Sequence, residues 1–280
     1  MTDELNPFTS EPIDGISIFT GVKNRRGMLE QTLPTWLPHE EVKEIVVVDW
    51  SSDDDPGEFI KSLQSPKIIL AKVPDQPKWS QTLAFNLAAR LTSSKVLLKM
   101  DADVKLFPGF FTSHPVETGR FYTGDWRTAR DENEKHLNGI CYLHRHDFFK
   151  VNGYNERLKT YAWDDIDLYT RLEKSGLQHH YFNPDLLHHI EHGQRTAFHD
   201  YMRFLKTDHD MERALLNSLI NRFIVELTAG WSRNDSMLPF SVEAISPDLV
   251  ICRQSGEDPN PLDPELMRKA ESKAIIERFF

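Results

Sequence analysis

From Gly15 to Asp103, short apolar runs alternate with longer stretches in which apolar residues recur every three or four positions. The runs at 16–20, 45–49, 67–73 and 96–100 predict strands, and residues 26–37 and 79–91 predict helices between them. The second helix carries Leu83, Leu87 and Leu91 on one face. Ile45, Val46, Val47 and Val48 show no alternation, as expected of a parallel strand covered by helices on both faces. Strand and helix in strict succession predict an α/β fold of three layers around a mostly parallel sheet.

Beyond Phe110 the texture changes. Residues 119–126 and 139–144 read as strands separated by a charged loop at 127–138, and a helix is expected at 163–174. Short strands at 179–182 and 186–190 and a long helical region at 199–227 follow. Residues 228–264, rich in Pro, Ser, Asp and Asn, read as loops with one short strand at 249–252. The last stretch places Leu266, Ala270, Ala274, Ile275, Ile276, Phe279 and Phe280 at loosely helical spacing. A helix packed on its own domain is the expectation, with peripheral contact to a membrane surface or a partner as the alternative. The expected division is a tail at 1–14, a catalytic domain at 15–227 with halves at 15–109 and 110–227, and an extension at 228–280 packed on it.

Composition narrows the function. With 39% hydrophobic and 11% aromatic residues in 280, the chain can bury a sizeable core and is not disordered. A net charge of -10 argues against nucleic-acid binding, which needs many basic contacts to phosphate. Cys141 and Cys252 form no CxxC pair, so zinc-cluster and disulfide-scaffold readings fall away. No apolar run approaches the roughly 20 residues of a bilayer span, and the first residues are acidic and polar. The expectation is a soluble, cytoplasmic protein.

Two predicted strands end in acid: Asp49 closes the second, and Asp101-Ala102-Asp103 follows the fourth. Ligands of open α/β sheets sit beyond the carboxyl ends of the strands, so these carboxylates stand where a site belongs. Two carboxylates one residue apart can face one divalent cation, and their hard oxygens suit Mg²⁺ or Mn²⁺ beside a diphosphate. Turn formation and helix capping are the alternative for Asp53 to Asp55.

The order of these segments resembles the GT-A nucleotide-sugar transferases, specifically family 2 and the related galactosyltransferase and chondroitin-polymerase-like enzymes. Residues 19–25 (FTGVKNR) resemble the strand segment those enzymes place against the nucleotide base, implying Thr20, Val22, Asn24 and Arg25 as donor contacts. IVVVDWSSD at 45–53 resembles their VVDDGSxD, implying Asp49 and Ser51, with Trp50 in place of the second Asp and Ser51 in place of Gly. WSQTLAFN at 79–86 resembles the helix that carries an Asn before the metal strand, implying Asn86. The resemblance adds Asp101 and Ala102 to the donor side and gives Asp101 and Asp103 to the metal. Downstream, the block from Gly139 to Tyr154, then Asn155-Glu156 and Trp163-Asp164-Asp165-Ile166-Asp167-Leu168, resembles the acceptor side, where a Gly-Tyr-Asn-Glu turn precedes a W-G-x-E-D-x-D-L helix start. It implies Asp165 as general base, with Asp164, Trp163 and Tyr154 at the acceptor. An ordinary helix start is the alternative for these acids, and an ion pair with Arg171 is the alternative for Asp167.

Histidines cluster at 179, 180, 188, 189, 192, 199 and 209. The resemblance implies a third metal ligand after the acceptor helix, His192 first and His189 second; imidazole in the set favours Mn²⁺ over Mg²⁺. A His-rich zinc site is the competing reading. Lys23, Arg25, Arg26, Arg127 and Arg130 are candidates for the diphosphate, and Trp126 and Trp163 for stacking on an acceptor ring, against solvated charge and buried core. The expected activity is inverting transfer of a hexose or hexosamine from a nucleotide-sugar donor, UDP-linked by preference, to a saccharide acceptor. A metal-dependent nucleotidyltransferase and a non-catalytic carbohydrate-binding relative are the rivals.

Overall fold

The first four apolar runs form strands β1 (Ile13–Val22), β2 (Val42–Asp49), β3 (Ile68–Lys72) and β4 (Ser94–Lys99). Between them lie helices α1 (Arg26–Trp36), α2 (Gly57–Ser62) and α3 (Gln81–Leu91). This computed structural model describes residues 12–158, 162–191, 210–228 and 230–279. The unbroken apolar runs have a direct cause. Ile18, Ile45 and Val47 pack with Leu29, Leu33 and Trp36 of α1 on one face of the sheet. Phe19, Val46 and Val48 pack with Leu83, Leu87 and Leu91 of α3 on the other. Full burial of each such side chain is worth about 1.5–3 kcal/mol, so both faces select for apolar residues.

The remaining strands are β5 (Val104–Leu106), β6 (Arg120–Thr123), β7 (Cys141–His144), β8 (Gln178–Tyr181), β9 (Leu187–His189), β10 (Phe240–Ser246) and β11 (Leu249–Gln254). The helices are α4 (Phe110–Ser113), α5 (Glu132–Lys135), α6 (Arg145–Lys150), α7 (Asp164–Lys174), α8 (Asp210–Leu227) and α9 (Pro264–Phe279). One nine-stranded sheet runs β10-β11-β3-β2-β1-β4-β7-β6-β8, and β5 pairs with β9 apart from it. Strands β11, β3, β2, β1 and β4 are parallel, β7 is antiparallel to β4, and β6 and β8 return to the direction of β4. The fold is a mixed, mostly parallel α/β sheet. Strand order reverses between β1 and β4, so the carboxyl ends of β1, β2 and β4 open on one switch-point crevice.

Some elements depart from expectation. The stretch at 228–264 contains a hairpin, β10 and β11, and β11 adds to the sheet beside β3. Strand β10 escapes a reading by pattern because it is an edge strand with one buried residue, Phe240, and no buried face. Of the helix expected at 199–227, Asp210–Leu227 is described and the rest lies outside the described residues. Ala270 and Ala274 of α9 meet Phe223 and Ile224 of α8, while Ile275, Ile276 and Phe279 face outward. Among the described residues no helix is long and apolar enough to cross a membrane.

Candidate active site

After β4 the chain turns at Asp101, whose carbonyl accepts from the Val104 N–H at 3.1 Å. Helix α1 holds this turn in place. The Thr32 hydroxyl donates to the Ala102 carbonyl at 2.8 Å, the Trp36 indole N–H to the Val104 carbonyl at 2.8 Å, and the Leu106 N–H to the Thr35 hydroxyl at 3.1 Å. Cross-links from one rigid helix keep the two carboxylates where the loop alone would not. Pairing of β5 with β9 then sets His189 opposite Val104, and the Ile190 N–H donates to the Asp103 carbonyl at 2.7 Å. His189 Nε2 stands 3.7 Å from Asp103 Oδ2. His136 stacks on the His189 ring at 4.6 Å, and the Asn133 amide donates to the His189 carbonyl at 2.6 Å.

Two side chains that share one cation at about 2.1 Å stand roughly 3–4 Å apart, and the Asp103–His189 spacing falls in that range. One carboxylate oxygen and one imidazole nitrogen suit a first-row divalent ion. Among the described residues no group of three His, Cys, Asp or Glu side chains forms a complete cation cage, so further ligands would have to come from elsewhere, such as diphosphate oxygens. His192 lies outside the described residues.

The opposite wall is Asp165 on the first turn of α7. A Cβ built on Gly139 would lie 2.6 Å from Asp101 Oδ2 and 3.4 Å from Asp165 Oδ2, so both carboxylates close on one point that only glycine leaves open. Lys99 lies beneath. Its buried ammonium donates to Asp101 Oδ1 at 2.6 Å and to the Gly139 carbonyl at 2.8 Å, and rests 4.2 Å over the Phe85 ring. Burial disfavours its charge, but Asp101 and Asp165 outweigh that, and the pKa of Lys99 moves above the ordinary lysine value. Burial, and then the neighbouring Asp164 carboxylate, push the Asp165 pKa well above the usual carboxylate range. The Tyr154 hydroxyl, kept protonated by burial, donates to Asp165 Oδ1 at 3.2 Å.

At the carboxyl ends of β1 and β2, two loops are clamped together. The Asn24 N–H donates to the Ser52 hydroxyl at 2.9 Å and the Asp53 N–H to Asn24 Oδ1 at 2.7 Å. The Lys23 ammonium donates to the carbonyls of Trp50, Ser51 and Gln76 at 2.7–3.0 Å. Ser51 adopts φ 56°, where glycine is favoured, and its hydroxyl bonds to the Val73 carbonyl at 2.7 Å and accepts from the Gln76 N–H at 2.8 Å.

Two known families divide most of this frame. Residues 17–114 match glycosyl transferase family 2, and residues 126–196 match the N-terminal domain of galactosyltransferase. This is a glycosyltransferase of the GT-A fold. Solved structures agree on the fold. The catalytic domain of Drosophila β1,4-galactosyltransferase 7, solved with xylobiose, is 12% identical, covers 88% of this chain and 96% of its own, and superposes with a TM-score of 0.51. The mannosyltransferase PcManGT of Pyrobaculum calidifontis, in complex with GDP-Man and Mn²⁺, is 16% identical, with coverages of 82% and 68% and a TM-score of 0.53. GalNAc-T7 with UDP, GalNAc and Mn²⁺ is 13% identical, with coverages of 72% and 48% and a TM-score of 0.52. No curated protein matches the chain in sequence.

Within this GT-A frame the side chains of several expected site residues are engaged by the protein itself. Asn86 is fully buried, its amide donating to the Tyr154 carbonyl and to Glu156 Oε1 at 2.9 Å each, and its oxygen accepting from the Tyr154 N–H at 2.8 Å. It builds the 153–156 turn. Tyr154 is fully buried as well, and its hydroxyl touches Asp165. The side chains of Thr20 and Val22 are sealed in the sheet, and the Val22 carbonyl accepts from the Trp50 N–H at 2.8 Å. The Ala102 methyl is buried and its carbonyl is engaged by Thr32. Asp49 is buried and accepts from the Ser52 N–H at 3.0 Å, with burial raising its pKa. Asp164 turns inward onto the Gln81 amide at 2.5 Å. Asp167 pairs with Arg171 at 2.7 Å, the ion-pair alternative. Lys23 and Arg26 tie loops together, Arg127 pairs with Asp125, and Arg130 bonds to Glu134 and Asp185. Asn24, Arg25, Ser51, Asp101, Asp103, Trp163 and Asp165 keep partial access to solvent. Lys99, Gln81 and Gly139 were missed. The signal for Lys99 was a lysine inside the apolar run VLLKM, just before the acidic pair.

Proposed function

We propose that the chain transfers a hexose or hexosamine from a nucleoside diphosphate donor, UDP-linked by preference, to a hydroxyl of a saccharide, with inversion at the anomeric carbon. The observation that carries this reading is the convergence of Asp101 and Asp165 on the point where a Cβ on Gly139 would stand, with Asp103 of the Asp103–His189 pair two residues along the chain. A mutant of the Drosophila galactosyltransferase has also been solved with manganese, UDP-Gal and xylobiose, a ligand set that fits such a crevice.

Asp165 accepts the proton of the acceptor hydroxyl as its oxygen bonds to the anomeric carbon, and the donor's bond to phosphate breaks with the electron pair leaving on the diphosphate. Tyr154 orients the carboxylate through its hydroxyl, and Lys99 holds Asp101 and the Gly139 turn in register. Asp103 and His189 would hold Mn²⁺, whose charge offsets that of the departing diphosphate. Asn24, Arg25, Ser51 and Asp101 form the donor rim, and Trp163 lies on the acceptor side. The buried, unpaired Cys141 and Cys252 suit a reducing cytoplasm.

The Lys23 ammonium is taken up by three carbonyls and the Arg26 guanidinium by Glu30, which disfavours a nucleotidyltransferase, since that chemistry needs several free basic groups after β1. The products decide between the two. Incubation with a panel of nucleotide sugars and saccharides should release nucleoside diphosphate with Mn²⁺ and not with EDTA. Release of pyrophosphate in a parallel incubation with nucleoside triphosphates and sugar 1-phosphates, or of nothing from any nucleotide sugar, would overturn the transferase reading.

A further inference from the structure

The order β4-β7-β6-β8 carries the sheet away from the candidate base toward an edge that no proposed step uses. Strands β6 and β8 run parallel to each other and in the direction of β4, with Thr123 opposite Tyr181, so both end on the side of the sheet where Asp101 follows β4. Two large aromatic side chains stand exposed there, Trp126 at 56% and Tyr181 at 42%. The turn that presents Trp126 is built. Asp125 Oδ1 accepts from the Arg127 N–H at 3.1 Å and from Arg127 Nε at 3.0 Å, and the Thr128 N–H donates to the Asp125 carbonyl at 3.3 Å. Arg127 then crosses to β8, donating to the Tyr181 hydroxyl with its guanidinium 5.7 Å from the ring centroid. Behind Tyr181, His179 lies 4.8 Å from its ring and stacks on buried Phe121 at 4.3 Å.

A tryptophan held outward by a pinned turn beside a tyrosine backed by the core is a binding surface waiting for a flat, partly apolar ligand. We propose that Trp126 and Tyr181 form a remote subsite for a neutral oligosaccharide acceptor, on which a distal ring stacks while its terminal hydroxyl reaches Asp165. The occupant follows from position and charge. Two strand steps of about 4.8 Å separate β4 from β6, which leads to Trp126, and three separate it from β8, which ends at Tyr181, roughly 10 and 14 Å, a span suited to linked sugar rings. A chain of net charge -10 disfavours a polyanionic glycan. This proposal rests on the transferase reading, since it needs the acceptor to approach Asp165 from the β7–β6–β8 side.

The test is a glycan array probed with the wild-type chain and with W126A, Y181A and D165N in the presence of UDP and Mn²⁺, with calorimetry on the hits and on UDP–Mn²⁺ alone. The wild type and D165N should bind neutral glycans of three or more rings. W126A should bind them at least about tenfold more weakly, the loss typical of truncating an aromatic anchor, with Y181A weakened in the same direction and UDP–Mn²⁺ affinity unchanged in both. Equal glycan affinity in W126A, preference for monosaccharides or anionic glycans, or no neutral glycan bound would overturn the proposal. Loss of glycan binding in W126A with no UDP–Mn²⁺ binding even in the wild type would keep the subsite and remove the donor reading instead.

Discussion

Replacing Asp165 with Asn should lower kcat by about 10²- to 10⁴-fold, the usual contribution of a positioned general base, while leaving UDP–Mn²⁺ affinity within about twofold of wild type. The substitution keeps the shape of a side chain on the first turn of α7 and can still accept from the Tyr154 hydroxyl, so the turn should not collapse. What it removes is a proton acceptor. The pH profile supplies a second signature. Asp165 must be ionised to act, so transfer falls as pH drops through its pKa. Burial and the Asp164 carboxylate raise that pKa, which moves the acid limb above the ordinary Asp value of about 4. Single-turnover rates measured across pH should show this limb in the wild type and lose it in Asp165→Asn; unchanged turnover would remove Asp165 as the base.

Asp103→Ala should be nearly as damaging for a different reason. With His189 left as one ligand, Mn²⁺ affinity should fall by 100-fold or more and transfer by roughly 10³-fold, in keeping with the several kcal/mol a metal supplies to a departing anion. Thermal denaturation separates this from misfolding. At 100 times its dissociation constant a ligand adds about 2.7 kcal/mol to stability, so UDP with Mn²⁺ should raise the wild-type Tm and fail to raise that of Asp103→Ala. The variant's own Tm should change little, since α1 holds the turn through the carbonyls of Ala102 and Val104. A variant that still shows the full Mn²⁺-dependent shift would contradict the assignment.

Strands β1 to β4 were legible because two-sided burial leaves no alternation in them, as Val46 and Val47 show by facing opposite clusters. Strand β10 was not, since an edge strand with one buried residue leaves no imprint. The acids were legible by their place at strand ends, whereas the direction of a polar side chain was not. Asn86 and Tyr154 sit inside recognisable motifs yet point into the core, where they build the turn behind Asp165. Departures from the family pattern were legible as letters and not as geometry. Ser51 holds the positive φ of the glycine it replaces by hooking its hydroxyl onto Val73 and Gln76. Ala162, at φ 75°, falls on the Gly of W-G-x-E-D-x-D-L once the acids are aligned on 164, 165 and 167, which moves the motif's Trp from Trp163 to Tyr161, outside the described residues. Trp50, where the family carries a second Asp, donates its indole N–H to the Lys78 carbonyl and packs between Trp79 and Phe240, joining the loop after β2 to the hairpin β10–β11.

Asp103 and His189 are expected to hold a divalent ion beside Asp165. Crystals grown with UDP and MnCl₂ and measured at the manganese absorption edge test it directly. One anomalous peak within about 2.3 Å of both Asp103 and His189, and in contact with the diphosphate, is the result predicted. A peak elsewhere, or UDP bound in the crevice with no metal at that pair, would contradict it.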